Sequence, residues 1–295
     1  MALFATDRWI VGGRGVTILS MVRLSILLAV LSLSTKLRAD CDTSAKHPLL
    51  PAGENALAVD LKNVHVQVDE GIVINVGELH GTLVPAPGRP PRFNELRPPG
   101  QATLNIERAV IWFTPQSVAR LMNRDVLQGS NLHHVSIETG DDGKLHEHVW
   151  VHGIWPSSLT AGLTATDGVV HLRDAQFFGQ SLVDMASVAH VDPSKGVCIR
   201  KNDIFIDPIR MFGSMMRAAG ELTDARIEGK AIVERFGQPT NAAGLPPSIT
   251  ITSRERRVTV KPADPQQCFT LAALQTVWES APDGASLTVP PSGCD

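Results

Sequence analysis

From residue 56 onward, apolar and polar positions alternate with a period of two over long stretches. Leu57, Val59 and Leu61, then Val64, Val66 and Val68, then Ile72, Ile74 and Val76 follow this rule, with Asp69 and Gly71 at a turn. The spacing predicts a β-hairpin over Ala56–Val84. Pro85–Gly100 holds six prolines and few apolar residues, which predicts a surface loop. A strand follows at Ala102–Phe113. Thr114-Pro115 then opens a helix over Pro115–Asp125, since threonine caps free N–H groups and proline is pre-set for the first helical position. Val118, Leu121, Met122 and Val126 give this helix one apolar face.

Strands are expected at Asn131–Thr139 and Lys144–Gly153 around Gly140–Gly143, and at Leu159–Ala165 and Val169–Phe177 around Asp167-Gly168. Asp207-Pro208 predicts a second helix over Pro208–Ala219 that ends at Gly220. Strands resume within Leu222–Phe236 and at Ser248–Ser253 and Arg257–Lys261. A short helix, Thr270–Trp278, precedes a closing strand, Ser286–Val289. The fold class is β-rich α+β: long antiparallel, curved sheets with two or three packing helices.

The N-terminus breaks this pattern. Leu24–Leu33 is an apolar run preceded by Arg23 and followed by Lys36 and Arg38. A run of about ten residues is half the length needed to span a bilayer, so it reads as a signal peptide, with a signal anchor as the alternative. Met21 would start a compact version of it. Cleavage after Ala39 is expected, although Leu37 fits a small-residue site poorly. Asp40 argues against lipidation of Cys41. The domain division is therefore an extension plus signal over 1–39 and one exported β-rich domain over 40–295, periplasmic or in the cell envelope. An uncleaved segment would tether it, and membrane contact is otherwise expected only through bound lipid.

The chain has 27 Lys and Arg against 30 Asp and Glu. Residues 1–39 carry five of the bases and one acid, leaving 22 bases against 29 acids. That balance disfavours nucleic acid as a partner. Cys41, Cys198, Cys268 and Cys294 are an even set suited to an oxidising compartment. Cys268–Cys294 with Cys41–Cys198 is the favoured pairing, because the first closes the C-terminal tail; spacing alone leaves three pairings open.

Two groups of residues are candidates for chemistry. His133, His146, His148 and His152 fall in the hairpin around Gly140–Gly143. Pairing Gly140 with Gly143 sets His146 opposite Ile137, His148 opposite Val135 and Trp150 opposite His133. All four histidines then share one face, Glu147 takes the other, and a zinc or copper site is the metal reading. His146-Glu147-His148 lacks the HExxH spacing, and neither a GxSxG elbow nor a phosphate-binding glycine loop is present. No enzyme and no cofactor are expected. The second group is the Met-rich stretch. Met211, Phe212, Met215 and Met216 suit a flexible apolar ligand surface, and Arg210 and Arg217, seven residues apart, suit an anionic headgroup.

Thr164–Leu172, Lys201–Pro208, Gly220–Gly229 and Phe236-Gly237, together with Ala56–Asn123, resemble a set of uncharacterised bacterial exported proteins. More loosely, long amphipathic strands around helices resemble tubular-lipid-binding and AsmA-like envelope proteins, which implies acyl chains in an apolar groove. The functional expectation is a non-enzymatic envelope protein that binds an apolar, lipid-like ligand or an envelope partner. A groove closed by Pro115–Asp125 and Pro208–Ala219 would form the site. The alternatives are a periplasmic metal-binding protein using the histidine hairpin, and a structural or assembly module.

Overall fold

The computed structural model describes residues 47–96, 101–177, 192–200, 203–213, 216–218, 221–240, 243–290 and 294. The signal region 1–39, Cys41 and Met215 lie outside them. The described residues fall in the compact unit Cys41–Asp295. Its architecture is β-rich α+β.

The long hairpin forms as its alternation requires. β1 (Leu57–Asp69) pairs antiparallel with β2 (Ile72–Val84), and β2 with β3 (Thr103–Phe113). Leu57, Val59 and Leu61 are buried from odd positions, Val64 and Val66 from even ones. The phase changes at Asn63, which takes φ 47°; asparagine tolerates that region better than a branched residue does. Gly81 marks another irregularity of β2, where a Cβ would lie 2.4 Å from the Asn105 carbonyl oxygen. Only glycine lets the two backbones approach so closely.

The rest of the chain builds outward from this hairpin. α1 (Pro115–Leu121) is capped by Thr114, whose side chain accepts from the Ser117 N–H at 3.1 Å. It widens into a π-turn over Met122–Val126 rather than continuing as the regular helix expected to Asp125. There the Leu127 N–H bonds the Met122 carbonyl at 2.9 Å, and the Asn123 amide, which donates to the Ala119 carbonyl of α1, also bonds the backbone of Val135. β4 (Leu132–Thr139), β5 (Leu145–Val151), β6 (Trp155–Thr166), β7 (Val169–Phe177), β8 (Val197–Arg200) and β9 (Asp203–Ile206) form an antiparallel sheet in the order β4-β5-β6-β7-β9-β8.

The second predicted helix is corrected. α2 is a single turn, Pro208–Met211, and Met216 and Arg217 lie instead on β10 (Met216–Ala218), parallel to β3. Gly213 takes φ 63°, which breaks the helix two residues past its end. The stretch Leu222–Phe236 is a hairpin of β11 (Leu222–Glu228) and β12 (Ala231–Phe236), and β12 pairs with β3. β13 (Ser248–Thr252), β14 (Arg257–Pro262), β15 (Cys268–Thr270) and β16 (Ser286–Val289) complete a mixed sheet in the order β11-β12-β3-β2-β1-β13-β14-β16. β10 joins β3 and β15 joins β1. α3 (Leu271–Ser280) forms where the sequence predicts a helix over Thr270–Trp278; Thr270 caps it, and Leu271, Leu274 and Trp278 are buried.

Two further expectations are revised or met. The Pro-rich segment is not wholly a surface loop: a 3-10 turn over Phe93–Leu96 buries both of its apolar ends. The Phe93 N–H bonds Gln275 Oε1 of α3 at 2.7 Å. Cys268 and Cys294 are joined, with Cα atoms 5.5 Å apart. Cys198 is also in a disulfide, while Cys41, the partner expected for it, lies outside the described residues.

Candidate ligand cavity

The inward phase of β5 reads Leu145, Glu147, Val149 and Val151; that of β12 reads Ile232, Glu234 and Phe236. Each strand thus carries one acid where its pattern calls for an apolar residue. Glu147 lies opposite Ile137 and Leu159, and Glu234 lies opposite Ile111 and Ala225. Both acids line a cavity of ≈ 70 Å³ whose other fifteen lining residues are apolar. The two sheets supply opposite walls. α1 and its π-turn contribute Val118, Leu121 and Met122, and α2 contributes Pro208 and Met211.

Phe212, just past α2, is the pivot of the site. It stacks on Phe113 with ring centroids 6.1 Å apart. It also borders a second cavity of ≈ 70 Å³, wholly apolar, between the mixed sheet, the Phe93–Leu96 turn and α3. A third, outer pocket of ≈ 380 Å³ meets the same ring and carries Arg124, Lys195 and Arg210 with Asp69 and Asp125. Phe212 therefore borders all three spaces, and Met211 borders the first and third. Leaving a void in a core costs about 24 cal/mol per Å³, so each compartment forfeits about 2 kcal/mol that tighter packing would supply. A void near 150 Å³ holds benzene, so each compartment as packed fits only a short alkyl segment. The three spaces, which share Phe212 as a lining residue, sum to about 500 Å³, within the range of small-molecule sites.

Burial alone raises both acids: Glu234 is pushed up to about 8 and Glu147 to about 7. Glu234 is 6% exposed and its Oε2 has no hydrogen-bond partner. Glu147 keeps partial accessibility, as a residue lining a void does. Removal from water disfavours the charged form, and no lining residue carries a compensating positive charge.

The predicted site residues are distributed differently from expectation. Met211 and Phe212 line the first cavity and Met216 the second. Arg210 and Arg217 do not form a pair along one helix. Arg210 Nε contacts Asp207 at 3.2 Å, while Arg217, on β10, donates from Nη1 to the Met216 carbonyl.

The histidine register is likewise corrected. Trp150 does oppose His133, but His146 faces Glu138 and His148 faces Ser136. The ladder shifts by one between His133 and Ser136, where Asn123 takes both the N–H and the carbonyl of Val135. His134 adopts φ 53° at this bulge. His152 has left the strand for a turn, also with φ 53°. His146 contacts Asp142 at 3.2 Å and Thr160 at 3.3 Å. Among the described residues no three His, Cys, Asp or Glu side chains gather as a metal site.

Sequence reasoning set Glu147 aside because it faces away from the histidines, and it passed over Glu234. The available signal was an acid in the apolar phase of a strand. Comparison of the chain with protein-family models, with curated proteins and with solved structures finds no match.

Proposed function

We propose that this protein is a non-enzymatic, exported binding protein of the cell envelope that takes an apolar ligand between its two sheets. The observation that carries this reading is the pair of largely apolar compartments that share Phe212, next to a polar outer pocket that meets the same ring. Natural interiors are close-packed, so adjoining voids faced by Met and Phe side chains mark a place where another molecule can complete the core. The Cys268–Cys294 disulfide suits the oxidising compartment that export would supply. Two acids held near neutral pH are also equipment for glycoside hydrolysis. Fifteen apolar neighbours, however, offer no hydrogen bonds to sugar hydroxyls, which favours binding over catalysis.

The test is fluorescence titration with the neutral apolar dye N-phenyl-1-naphthylamine, alongside native mass spectrometry with lipid analysis of the purified protein. A saturable rise in emission that Ile232→Trp suppresses, at unchanged fold, is the expected result. Absence of both dye binding and any co-purified apolar ligand overturns the reading.

A further inference from the structure

Glu234 is not a typical buried acid of this protein. Glu78, 3% exposed, accepts at Oε1 from Arg108 Nε at 3.0 Å and from the Thr240 hydroxyl at 2.6 Å, so although its Oε2 is unpartnered its charge is met by a guanidinium. Asp207, 6% exposed, receives His47, Arg210 and two backbone N–H groups. Glu234 is as buried as Asp207, its Oε2 borders no donor, and a second acid, Glu147, lines the same cavity. No Lys, Arg or His is among the lining residues, and every neighbour besides the two acids is apolar. The cavity therefore holds two carboxyl groups with no basic side chain among its lining residues.

We propose that the cavity takes an apolar ligand bearing one ammonium group, held by the carboxyls of Glu234 and Glu147. This inference rests on the reading of the cavity as a ligand site and adds the chemistry of the ligand. An ammonium brings three N–H donors and a positive charge that favours the ionised form of the carboxyls, while an alkyl body fills the apolar remainder. In the low-dielectric cavity the attraction between an ammonium and an ionised carboxyl is stronger than in water, which offsets the cost of desolvating both. A third carboxylate brought in by a fatty acid would meet two acids and no base. A neutral alcohol would supply one donor and no charge. The same lack of counter-charge argues against the anionic headgroup suggested by Arg210 and Arg217, since both are engaged outside this cavity.

Displacement of bound N-phenyl-1-naphthylamine at pH 7.5 by dodecylammonium, dodecanol and dodecanoate, each below its aggregation threshold, provides the test. Dodecylammonium is expected to compete about tenfold more tightly than dodecanol, a difference of about 1.4 kcal/mol. Dodecanoate is expected to be the weakest of the three. Glu234→Gln and Glu147→Gln, each shown to be folded by thermal unfolding, should shrink the ammonium preference while leaving dodecanol nearly unchanged. Dodecanoate binding as tightly as dodecylammonium, or a preference that survives both substitutions together, overturns the proposal. Equal affinity for all three compounds likewise overturns the proposal and leaves the apolar-ligand reading standing. Failure of all three, and of the dye itself, removes the apolar-ligand reading and this inference with it.

Discussion

Asp207 and Glu234 are equally buried, at 6% exposure each, and are treated in opposite ways. Asp207 caps α2: its Oδ1 accepts from the Ile209 and Arg210 N–H groups at 3.0 and 3.1 Å. Its Oδ2 meets His47 Nε2 at 2.7 Å and Arg210 Nε at 3.2 Å. Glu234 sits in the middle of a strand, beside a void, with Oε2 unpartnered. Burial alone thus says little about what an acid does. A saturated acid ties the chain together, and an unsatisfied one beside empty space costs stability that no contact in the protein returns. The first is a structural clamp joining residue 47 to α2; the second is an acid at the wall of a cavity with no basic side chain among its lining residues.

The largest test of this contrast is Asp207→Ala. It removes the cap and the carboxylate partner of both His47, 13% exposed, and Arg210, 38% exposed, so a loss of about 4 kcal/mol in urea unfolding is expected. Asp207→Asn, which keeps an acceptor for the helix N–H groups, should recover about half of that loss. A loss from Asp207→Ala below about 1 kcal/mol, the worth of an ordinary cap, would break the clamp side of the comparison.

Glu234→Gln tests the other side through pH. An acid raised from 4.5 to about 8 by burial binds its proton more tightly folded than unfolded. Its favourable contribution is complete below about 4.5 and is lost as pH climbs toward 8. The wild type should therefore lose about 3 kcal/mol between pH 5 and pH 8 that Glu234→Gln retains. Glu147 adds a loss of the same sign ending near pH 7. Urea midpoints of both proteins at the two pH values are the measurement. Parallel behaviour of wild type and variant would mean that Glu234 has a partner in solution.

Much of this arrangement is legible in local sequence. The alternation of Leu57–Val76 yields β1 and β2, and Thr114-Pro115, Asp207-Pro208 and Thr270 each mark a helix start that the structure uses. The misreadings occur where a distant residue decides. Met211, Phe212 and Met216 fit a helical stripe, yet Gly213 takes φ 63° and Met216 pairs with Leu104, more than a hundred residues earlier. The hairpin of His146 and His148 is shifted by Asn123, an amide from the π-turn that no period within the hairpin contains. Glu147 and Glu234 are each visible as an acid in an apolar phase. That they share a cavity depends on β12 pairing with β3 and on the two sheets meeting, which is long-range information.

Filling the void comes next in size. Val118→Phe places a ring from α1 into the first cavity, and recovery of packing should stabilise the protein by about 1 kcal/mol. It should abolish dye uptake at the same time, which a stabilising change at an ordinary core position would not do.

The smallest effect is expected outside both regions. His146, with 36% of its side chain accessible, leans on Asp142, itself 48% accessible; His148 is exposed, and His152 occupies a turn. These side chains are neither saturated clamps nor buried groups lacking a partner, because water serves them. Replacing all three with alanine should change stability by less than about 0.5 kcal/mol, as surface substitutions do. Zinc and copper titrations of the variant should match those of wild type. A loss of metal affinity would show that the exposed face of β5 gathers ligands its register separates. The contrast between Asp207 and Glu234 would then cease to be the feature of this fold that marks its site.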